Sequence, residues 1–158
     1  MPPELILDPT RLDTSRVIAG REELRKTNPQ RFEMEQIDGI VLIDLEEHII
    51  AGFKDVGHDE FWVRGHMPGF PLLPGVLMCE AAAQMCSFHA QRHNLIGAEM
   101  IGFGGMDDVR FRGMVVPRDR LVVTAQKLTL SVEALIHCRS HGSVRGQLVA
   151  PGAIRGWP

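Results

Sequence analysis

The feature that most constrains the fold of this chain is an almost unbroken apolar stretch, VLMCEAAAQMCSFHAQRH, that follows Pro74 and Gly75. The stretch is rich in strong helix formers and contains neither glycine nor proline, so it predicts a helix from Pro74 or Gly75 to roughly Asn94. Its first three turns are apolar on nearly every side. Because an ordinary surface helix keeps one polar face, this helix must be wrapped by other structure.

Short runs rich in β-branched residues lie on both sides of the predicted helix and indicate the structure that wraps it. They predict strands at residues 39–45, 48–53, 60–63, 99–106, 109–112, 121–130, 134–140 and 143–150. One buried helix against several mostly antiparallel strands is an α+β layer architecture. The charged run REELRK predicts a short exposed helix over residues 21–26, with a break before Asn28-Pro29.

The size and composition of the chain restrict its class. A length of 158 residues suits one domain, so we expect a single domain over residues 1–158 with an irregular and helical extension over residues 1–28. The residues are 44% apolar and 23% charged with a formal net charge of −3, which argues against a membrane protein and a nucleic-acid partner. No secretory signal is visible, so a cytoplasmic location is expected. Cys79, Cys86 and Cys138 lack metal-type spacing and are expected to be reduced core residues.

Two polar residues, Glu80 and Gln84, interrupt the apolar helix. They are four residues apart and therefore lie on one face, where their side chains should touch. A carboxylate buried in an apolar helix destabilises the fold unless it is paired or protonated. An unpaired buried charge costs about 3–5 kcal/mol. Carboxylates in apolar clefts are common at functional sites, so Glu80 is a candidate catalytic residue with Gln84 as its supporting partner. The alternative for Gln84 is a core amide bonded to backbone.

The segment that precedes the helix carries the other candidates. Pro68, Pro71 and Pro74 stiffen the loop GHMPGFPLLPG, which can hold the imidazole of His66 in a fixed position. An imidazole titrates near neutral pH and suits proton transfer, although a lone loop histidine is also a common surface residue. At the start of the helix, the amides of Gly75 and Val76 have no intrahelical partner and could hold an oxyanion. Capping by water or a preceding side chain is the alternative.

Two other patterns do not support a site. His89 and His93 are four residues apart, but the intervening sequence lacks the glutamate of HExxH, so we interpret them as the polar end of a long helix and predict no metal site. The glycines of GFGG at residues 102–105 follow a predicted strand but open no helix. A dinucleotide-binding fingerprint is therefore not indicated.

The stretch RGHMPGFPLLPGVLMCEAAAQ, residues 64–84, resembles the motif GHFPGxPxxPGVLxxEAMAQ of the FabZ-type β-hydroxyacyl-(acyl-carrier-protein) dehydratases. The match is long and ungapped. NPQRF at residues 28–32 is similar to the family's PHRF segment, and FGGMDDVRFRGMVVP at residues 103–117 is similar to its FxGIDxxRFxxPVVP segment. The related FabA-type enzymes, which are also isomerases, carry aspartate at the position of Glu80, so the resemblance is to the FabZ type.

The resemblance implies a hot-dog fold, a curled antiparallel sheet around one long helix. It implies that His66 and Glu80 are the catalytic pair and that the Gly75 amide polarises the thioester carbonyl. The implied reaction is loss of water from a (3R)-3-hydroxyacyl group on an acyl carrier protein, as in fatty acid biosynthesis, with no cofactor and no metal. The implied assembly is a homodimer, or a trimer of such dimers, in which each active site takes Glu80 and His66 from different chains.

The chain departs from the family pattern at Gln30, which replaces the histidine of PHRF, at the segment EMEQ of residues 33–36, at Met67 and at Arg118. The N-terminal changes leave open the lining of the acyl tunnel. Two alternatives to the dehydratase remain: a hot-dog thioesterase, which would not require His66, and a non-catalytic subunit that binds an acyl carrier. We also expect a basic patch for an acidic carrier. Its residues are Arg110, Arg112, Arg118 and Arg120.

Overall fold

The computed structural model describes residues 4–97, 100–130 and 136–157. Seven strands and two helices are formed. The strands are β1 (Ala19–Gly20), β2 (Gly39–Asp44), β3 (Ile49–Asp55), β4 (Gly102–Asp107), β5 (Arg120–Leu130), β6 (Ile136–Val144) and β7 (Gln147–Trp157); the helices are α1 (Arg21–Leu24) and α2 (Gly75–Arg92). Short 3-10 turns occur at Pro9–Arg11 and Phe32–Met34.

All seven strands belong to one antiparallel sheet with the order β1-β2-β3-β5-β6-β7-β4. The long helix α2 lies against β3, β5, β6 and β7, so the sheet covers it across most of its width. This arrangement of a curled sheet around one long helix is the hot-dog fold, as the resemblance implied, and the α+β prediction is confirmed.

The burial of α2 follows from its sequence. Eleven of its residues are buried: Leu77, Met78, Cys79, Ala81, Ala82, Gln84, Met85, Cys86, Phe88, His89 and Ala90. Most of them join one core cluster with the inward-facing residues of the sheet, such as Ile40, Ile50, Val123 and Ile136. The three cysteines are free and buried, as expected. In the part of the chain that the structure describes, no helix has the length and apolar character needed to cross a membrane.

The hairpin between β6 and β7 differs from the prediction. A break between strands 134–140 and 143–150 was expected at residues 141–142, but β6 continues through Gly142 to Val144. The turn lies instead at Arg145 and Gly146, which both adopt positive φ angles, of 51° and 77°. A two-residue turn of this kind matches the twist of paired strands, so it fixes the register in which Val144 faces Gln147. Residues 134 and 135 lie outside the described residues, as does residue 99 at the start of the strand predicted over residues 99–106, which the structure places at Gly102–Asp107.

The predicted strand at residues 60–63 is wrong, because this segment folds as a compact turn. The carboxylate of Glu60 accepts hydrogen bonds from the Gly57 amide and the Trp62 indole, both at 3.0 Å. It also pairs with Lys54, a largely buried lysine on β3, at 3.0 Å. These contacts to one carboxylate fold the segment back on itself, and they bring the chain to the loop that carries His66.

The predicted strand at residues 109–112 is also wrong. The segment runs beside β7 but makes only two backbone hydrogen bonds to it, from Arg110 N to Pro151 O at 3.1 Å and from Arg112 N to Val149 O at 2.7 Å. Pro151 has no N–H to donate, so the ladder cannot continue in both directions. Residues 109–112 therefore have the local sequence pattern of a strand, but the neighbouring strand β7 does not offer them a complete set of hydrogen-bonding groups.

His89 does not lie at an exposed polar end of the helix, as the sequence suggested. Its side chain is only 2% exposed, and neither ring nitrogen has a hydrogen-bond partner among the described residues. Burial lowers the pKa of His89 to about 4, and the positive charges of His93, His48 and Lys127 add to the shift. The imidazole is therefore neutral in the folded protein at neutral pH.

This burial predicts a loss of stability in mild acid. The unfolded chain protonates His89 below about pH 6.5, whereas the folded protein keeps it neutral down to about pH 4, so the free energy of unfolding should fall by roughly 3 kcal/mol across that interval. Urea melts between pH 7 and pH 4 measure the effect. A His89→Asn variant should show a flatter dependence on pH, while His58→Asn, which changes an exposed histidine, should keep the wild-type slope. Equal slopes for wild type and His89→Asn would contradict the assignment.

Candidate active site

Glu80 and Gln84 form the centre of the site. Gln84 Nε2 donates a hydrogen bond to Glu80 Oε1 at 2.7 Å, as their four-residue spacing predicted. Glu80 is partly buried on α2, whereas Gln84 is 3% exposed. Because an amide N–H can only donate, this bond fixes one carboxylate oxygen as an acceptor and leaves Oε2 for other partners.

The position of Gln84 is itself fixed by the segment that precedes β2. Its Nε2 also donates to Met34 O at 2.6 Å, and its Oε1 accepts from Gln36 N at 2.9 Å. The backbone carbonyl of Gln84 accepts from Asn28 Nδ2 at 3.0 Å. Both polar atoms of the Gln84 side chain therefore have hydrogen-bond partners, and the amide that binds the Glu80 carboxylate is itself fixed in place. The sequence placed residues 28–32 in a family-like segment, but nothing in it identified these backbone partners.

His66 lies in the loop before α2 and is partly buried. Its Nδ1 is 2.8 Å from the carbonyl oxygen of Leu72. Since a carbonyl can only accept, Nδ1 carries the proton in this contact, and in the neutral imidazole Nε2 has a free lone pair. The backbone of His66 is held as well, because its N–H donates to Trp62 O at 2.8 Å and its carbonyl accepts from Leu72 N at 2.7 Å.

The N-terminus of α2 lies at the end of the same loop. No side chain caps it, and Val76 at the second helical position is exposed. A Cβ on Gly75 would lie 2.6–2.8 Å from the ring of Phe111, so a larger residue there would require this exposed ring to move. Phe111 was not predicted as part of the site, because its approach to Gly75 depends on a contact between distant parts of the chain.

A cavity of about 80 Å³ opens beside Glu80, between α2 and the sheet. Helix α2 contributes Glu80, Ala83, Gln84, Cys86 and Ser87, and the sheet side contributes Ile136, Cys138, Ile154 and Gly156. Gln30, the residue that departs from the PHRF pattern, also lines it. The cavity therefore reaches from a fixed carboxylate into the apolar interior.

The structure brings together some of the predicted site residues and separates others. Glu80 and Gln84 are in contact, and His66, Gly75 and Val76 are linked by one loop. Within the described residues, however, no hydrogen bond joins His66 to Glu80, and His66 does not line the cavity beside Glu80. The described part of the chain also contains no cluster of three or more His, Cys, Asp or Glu side chains suited to a metal ion.

Comparison with known proteins identifies the family. A family model described as the FabA-like domain matches residues 28–152. The chain belongs to the FabA-like family. This match includes the loop of His66, the helix of Glu80 and most of the sheet, so it covers the candidate site except for the cavity residues of β7 beyond residue 152.

Curated relatives carry a more specific name. A protein of Hydrogenobaculum sp. is 33% identical over 134 residues, which is 84% of this chain and 89% of the relative. A protein of Desulfotalea psychrophila is 36% identical over 128 residues, which is 80% of this chain and 84% of the relative. Both are named 3-hydroxyacyl-[acyl-carrier-protein] dehydratase FabZ.

Solved structures share the fold at low sequence identity. The dehydratase heterocomplex ApeI:P of Xenorhabdus doucetiae aligns with a TM-score of 0.68 and 15% identity, covering 85% of this chain and 89% of that chain. The PaaI protein of E. coli, from the phenylacetic acid degradation operon, aligns with a TM-score of 0.59 and 14% identity, covering 75% of this chain and 81% of that chain. At such identity, these likenesses show the fold alone.

The hydrogen bonds of the Gln84 side chain predict that its substitution strongly destabilises the protein. Gln84→Met leaves the Gln36 amide and the Met34 carbonyl without their partner in a buried place, which should lower the free energy of unfolding by about 2–4 kcal/mol. Gln91→Met is the matched control, since Gln91 lies on the same helix but its side chain, among the described residues, bonds to Ser87 alone. The control should change stability by about 0.5 kcal/mol or less. Equal melting temperatures for the two variants would contradict the network.

Proposed function

We propose that this protein is a 3-hydroxyacyl-(acyl-carrier-protein) dehydratase, which removes water from a (3R)-3-hydroxyacyl thioester to give the trans-2-enoyl thioester. The observation that carries the proposal is the carboxylate of Glu80, which Gln84 fixes on the otherwise apolar helix α2 beside the cavity between that helix and the sheet. Membership of the FabA-like family and relatives named FabZ dehydratases support it. Neither proton transfer in this reaction calls for a metal or redox cofactor.

The mechanism divides the two proton transfers between two residues. His66 Nε2, with its lone pair free because Nδ1 donates to Leu72 O, takes the proton from C2. The amides of Gly75 and Val76, with the positive end of the α2 dipole, stabilise the charge that develops on the thioester oxygen. Glu80 gives a proton to the C3 hydroxyl, which leaves as water. The proton on His66 then returns to Glu80 before the next turnover.

We assign the two catalytic residues of each site to different chains of a homodimer. The support is that His66 and Glu80 make no mutual hydrogen bond within the described chain and that large apolar side chains around the His66 loop are exposed. These exposed residues are Phe32, Phe61, Met67, Phe70, Val76 and Phe111. Large apolar side chains exposed around one loop are typical of a protein–protein interface when they lie together. A trimer of such dimers is the larger assembly that fits the same family.

An acidic carrier protein is the proposed partner that delivers the substrate. Arg110 and Arg112 are exposed beside the segment that contacts Gly75. Arg120 is less available, because it pairs with Asp55 at 2.7 Å and stacks on the ring of Phe53. Of the predicted basic patch, Arg110 and Arg112 are therefore the residues best placed to meet an acidic surface near the loop.

Hydration of crotonyl thioester, the reverse reaction, tests the function. His66→Ala and Glu80→Gln should each lower kcat by about 100-fold or more, because each removes one proton transfer while the fold is retained. His58→Ala, which alters an exposed loop histidine, should keep wild-type activity. Release of free thiol from the acyl thioester, with no hydration, would favour the thioesterase alternative, and carrier binding without either reaction would favour the non-catalytic one.

Mixing two inactive variants tests the shared site. In a heterodimer of His66→Ala with Glu80→Gln, one site carries both substitutions and the other combines the intact Glu80 of the first chain with the intact His66 of the second. If chains exchange randomly, about half of the dimers are mixed and each has one complete site of two, so roughly a quarter of wild-type activity should return. Native mass spectrometry verifies that mixed dimers form. No activity in a verified mixture would mean that both residues act within one chain.

A further inference from the structure

The chain before β1 is not part of the matched family domain, which begins at residue 28. Its described part contacts the outer face of the sheet, which is the face opposite α2. Side chains of the outer face alternate along the strands with those of the core cluster. Several of them are nonetheless 0–9% exposed: Ala51, Phe53, Val122, Thr124 and His141. Helix α2 packs on the other face, so the N-terminal segment contributes to their burial.

Residues 6–18, here called the strap, are attached to the sheet at both ends. At one end, Ile18 N donates a hydrogen bond to Ile40 O of β2 at 2.8 Å. At the other end, Ile6 N donates to Nδ1 of His141 on β6 at 3.3 Å. The strap therefore crosses the strands that lie between β6 and β2 in the sheet.

Arg120 of β5 holds the middle of the strap. Its Nη1 donates to Thr14 O at 3.0 Å, while its Nε and Nη2 each bond to the carboxylate of Asp55 at 2.7 Å. The guanidinium carbon also lies 3.9 Å from the centroid of the Phe53 ring. All three nitrogens of Arg120 are thus used within the chain. Arg120, which the sequence placed in a basic patch for a carrier, therefore serves to attach the strap.

The contact at the Ile6 end depends on the protonation state of His141. A backbone N–H can only donate, so Nδ1 accepts with its lone pair and the proton of the neutral imidazole is on Nε2. A protonated imidazole has no lone pair on either nitrogen and cannot accept from Ile6 N. Burial lowers the pKa of His141, and the positive charge of Arg139 adds to the shift. The neutral form is thus the one that fits the strap.

The other groups around His141 do not oppose this direction. On the neighbouring strands, Thr124 of β5 and Pro151 of β7 lie opposite it and carry no charge. The charged residue on its own strand is Arg139, two positions away on the same face. The carboxylates on either side of Ile6 are exposed to water, which screens their charges: Glu4 and Asp8.

We propose that the strap is a pH-dependent cover of the outer face, closed while His141 is neutral and opened from its Ile6 end when His141 is protonated. The β2 end stays attached, because neither the guanidinium of Arg120 nor the backbone amide of Ile18 titrates between pH 5 and 8. Opening uncovers His141 and the outer-face positions next to it. The closed form is favoured above about pH 6.5, the ordinary pKa of an imidazole, and is lost progressively below it.

Hydrogen exchange at the Ile6 amide measures the opening directly. In the full-length protein, NMR gives the protection factor of this amide, corrected for the effect of pH on intrinsic exchange. Between pH 7.5 and pH 5.5 the protection factor should fall several-fold, with a limit of about tenfold, because pH 5.5 is about one unit below an ordinary imidazole pKa. The Ile18 amide, at the attached end, should keep its protection. An unprotected Ile6 amide at pH 7.5, or equal protection at both pH values, overturns the proposal.

His141→Asn tests which residue controls the opening. The Oδ1 of asparagine accepts from Ile6 N in the place of Nδ1 and does not titrate, so protection of the Ile6 amide should be the same at both pH values. His137→Asn is the matched control, because His137 is on the same strand and face and, within the described residues, has no hydrogen bond to the strap. The control should show the wild-type fall. A fall of wild-type size in His141→Asn overturns the proposal.

If His141→Asn does not fold, the imidazole of the wild-type protein answers the same question. Nitrogen NMR of the His141 ring at pH 7.5 should show the proton on Nε2 and a lone pair on Nδ1. A proton on Nδ1 contradicts the hydrogen bond from Ile6 N and overturns the proposal.

Cleavage by trypsin after Arg11 and Arg16, which are exposed in the strap, tests the middle attachment. Arg120→Lys keeps the positive charge but loses the directed bonds of the guanidinium, so the strap should open more often and cleavage at pH 7.5 should be about fivefold faster. Arg155→Lys is the matched control, because Arg155 makes the same two-pronged pair with an aspartate away from the strap. Equal cleavage rates in the two variants overturn the proposal.

Discussion

A carboxylate inside an apolar helix must be hydrogen-bonded, or its burial destabilises the fold, and in this protein Gln84 meets that requirement for Glu80. The same amide bonds to the backbone at Met34 and Gln36. The segment before β2 is thereby tied to the middle of α2, and the cavity beside Glu80 is formed where this segment, the helix and the sheet meet. The Gln84 side chain therefore both stabilises the packing of the N-terminal half and sets the position of the Glu80 carboxylate.

The histidine side of the site follows a different physical rule. Three prolines restrict the backbone of the loop. The turn built on Glu60 and Trp62 holds the loop as well, because Trp62 O accepts a hydrogen bond from His66 N. The carbonyl of Leu72 then selects the tautomer of His66, which leaves Nε2 free to accept a proton. An imidazole held in this way loses little conformational entropy when substrate binds, so in the proposed mechanism the general base is in place before any partner arrives.

Within the described chain no hydrogen bond joins His66 to Glu80, and large apolar side chains around the His66 loop are exposed. Both observations have the same explanation in the proposed dimer, where the exposed surface is covered and His66 approaches the Glu80 of a second copy.

Much of this arrangement could be predicted from the sequence, because it depends on local spacing. The apolar run predicted α2, the four-residue spacing predicted the contact of Glu80 with Gln84, and the motif of residues 64–84 predicted the family. Local patterns failed where a distant partner decides the outcome. Residues 109–112 have the composition of a strand, but Pro151 interrupts the edge they would pair with. His89 has the position of an exposed helix end, but it is 2% exposed in the folded protein.

The sequence by itself therefore determined the candidate residues for the proposed chemistry and the helix that carries Glu80, since both follow from residue type and from contacts between neighbours along the chain. Only the tertiary structure decided how those residues are held. The bonds from Gln84 to residues 34 and 36, the ring of Phe111 against Gly75 and the cavity that Ile136 lines together with Glu80 join positions more than 30 residues apart. Such contacts depend on the register and curvature of the sheet, which no local pattern encodes.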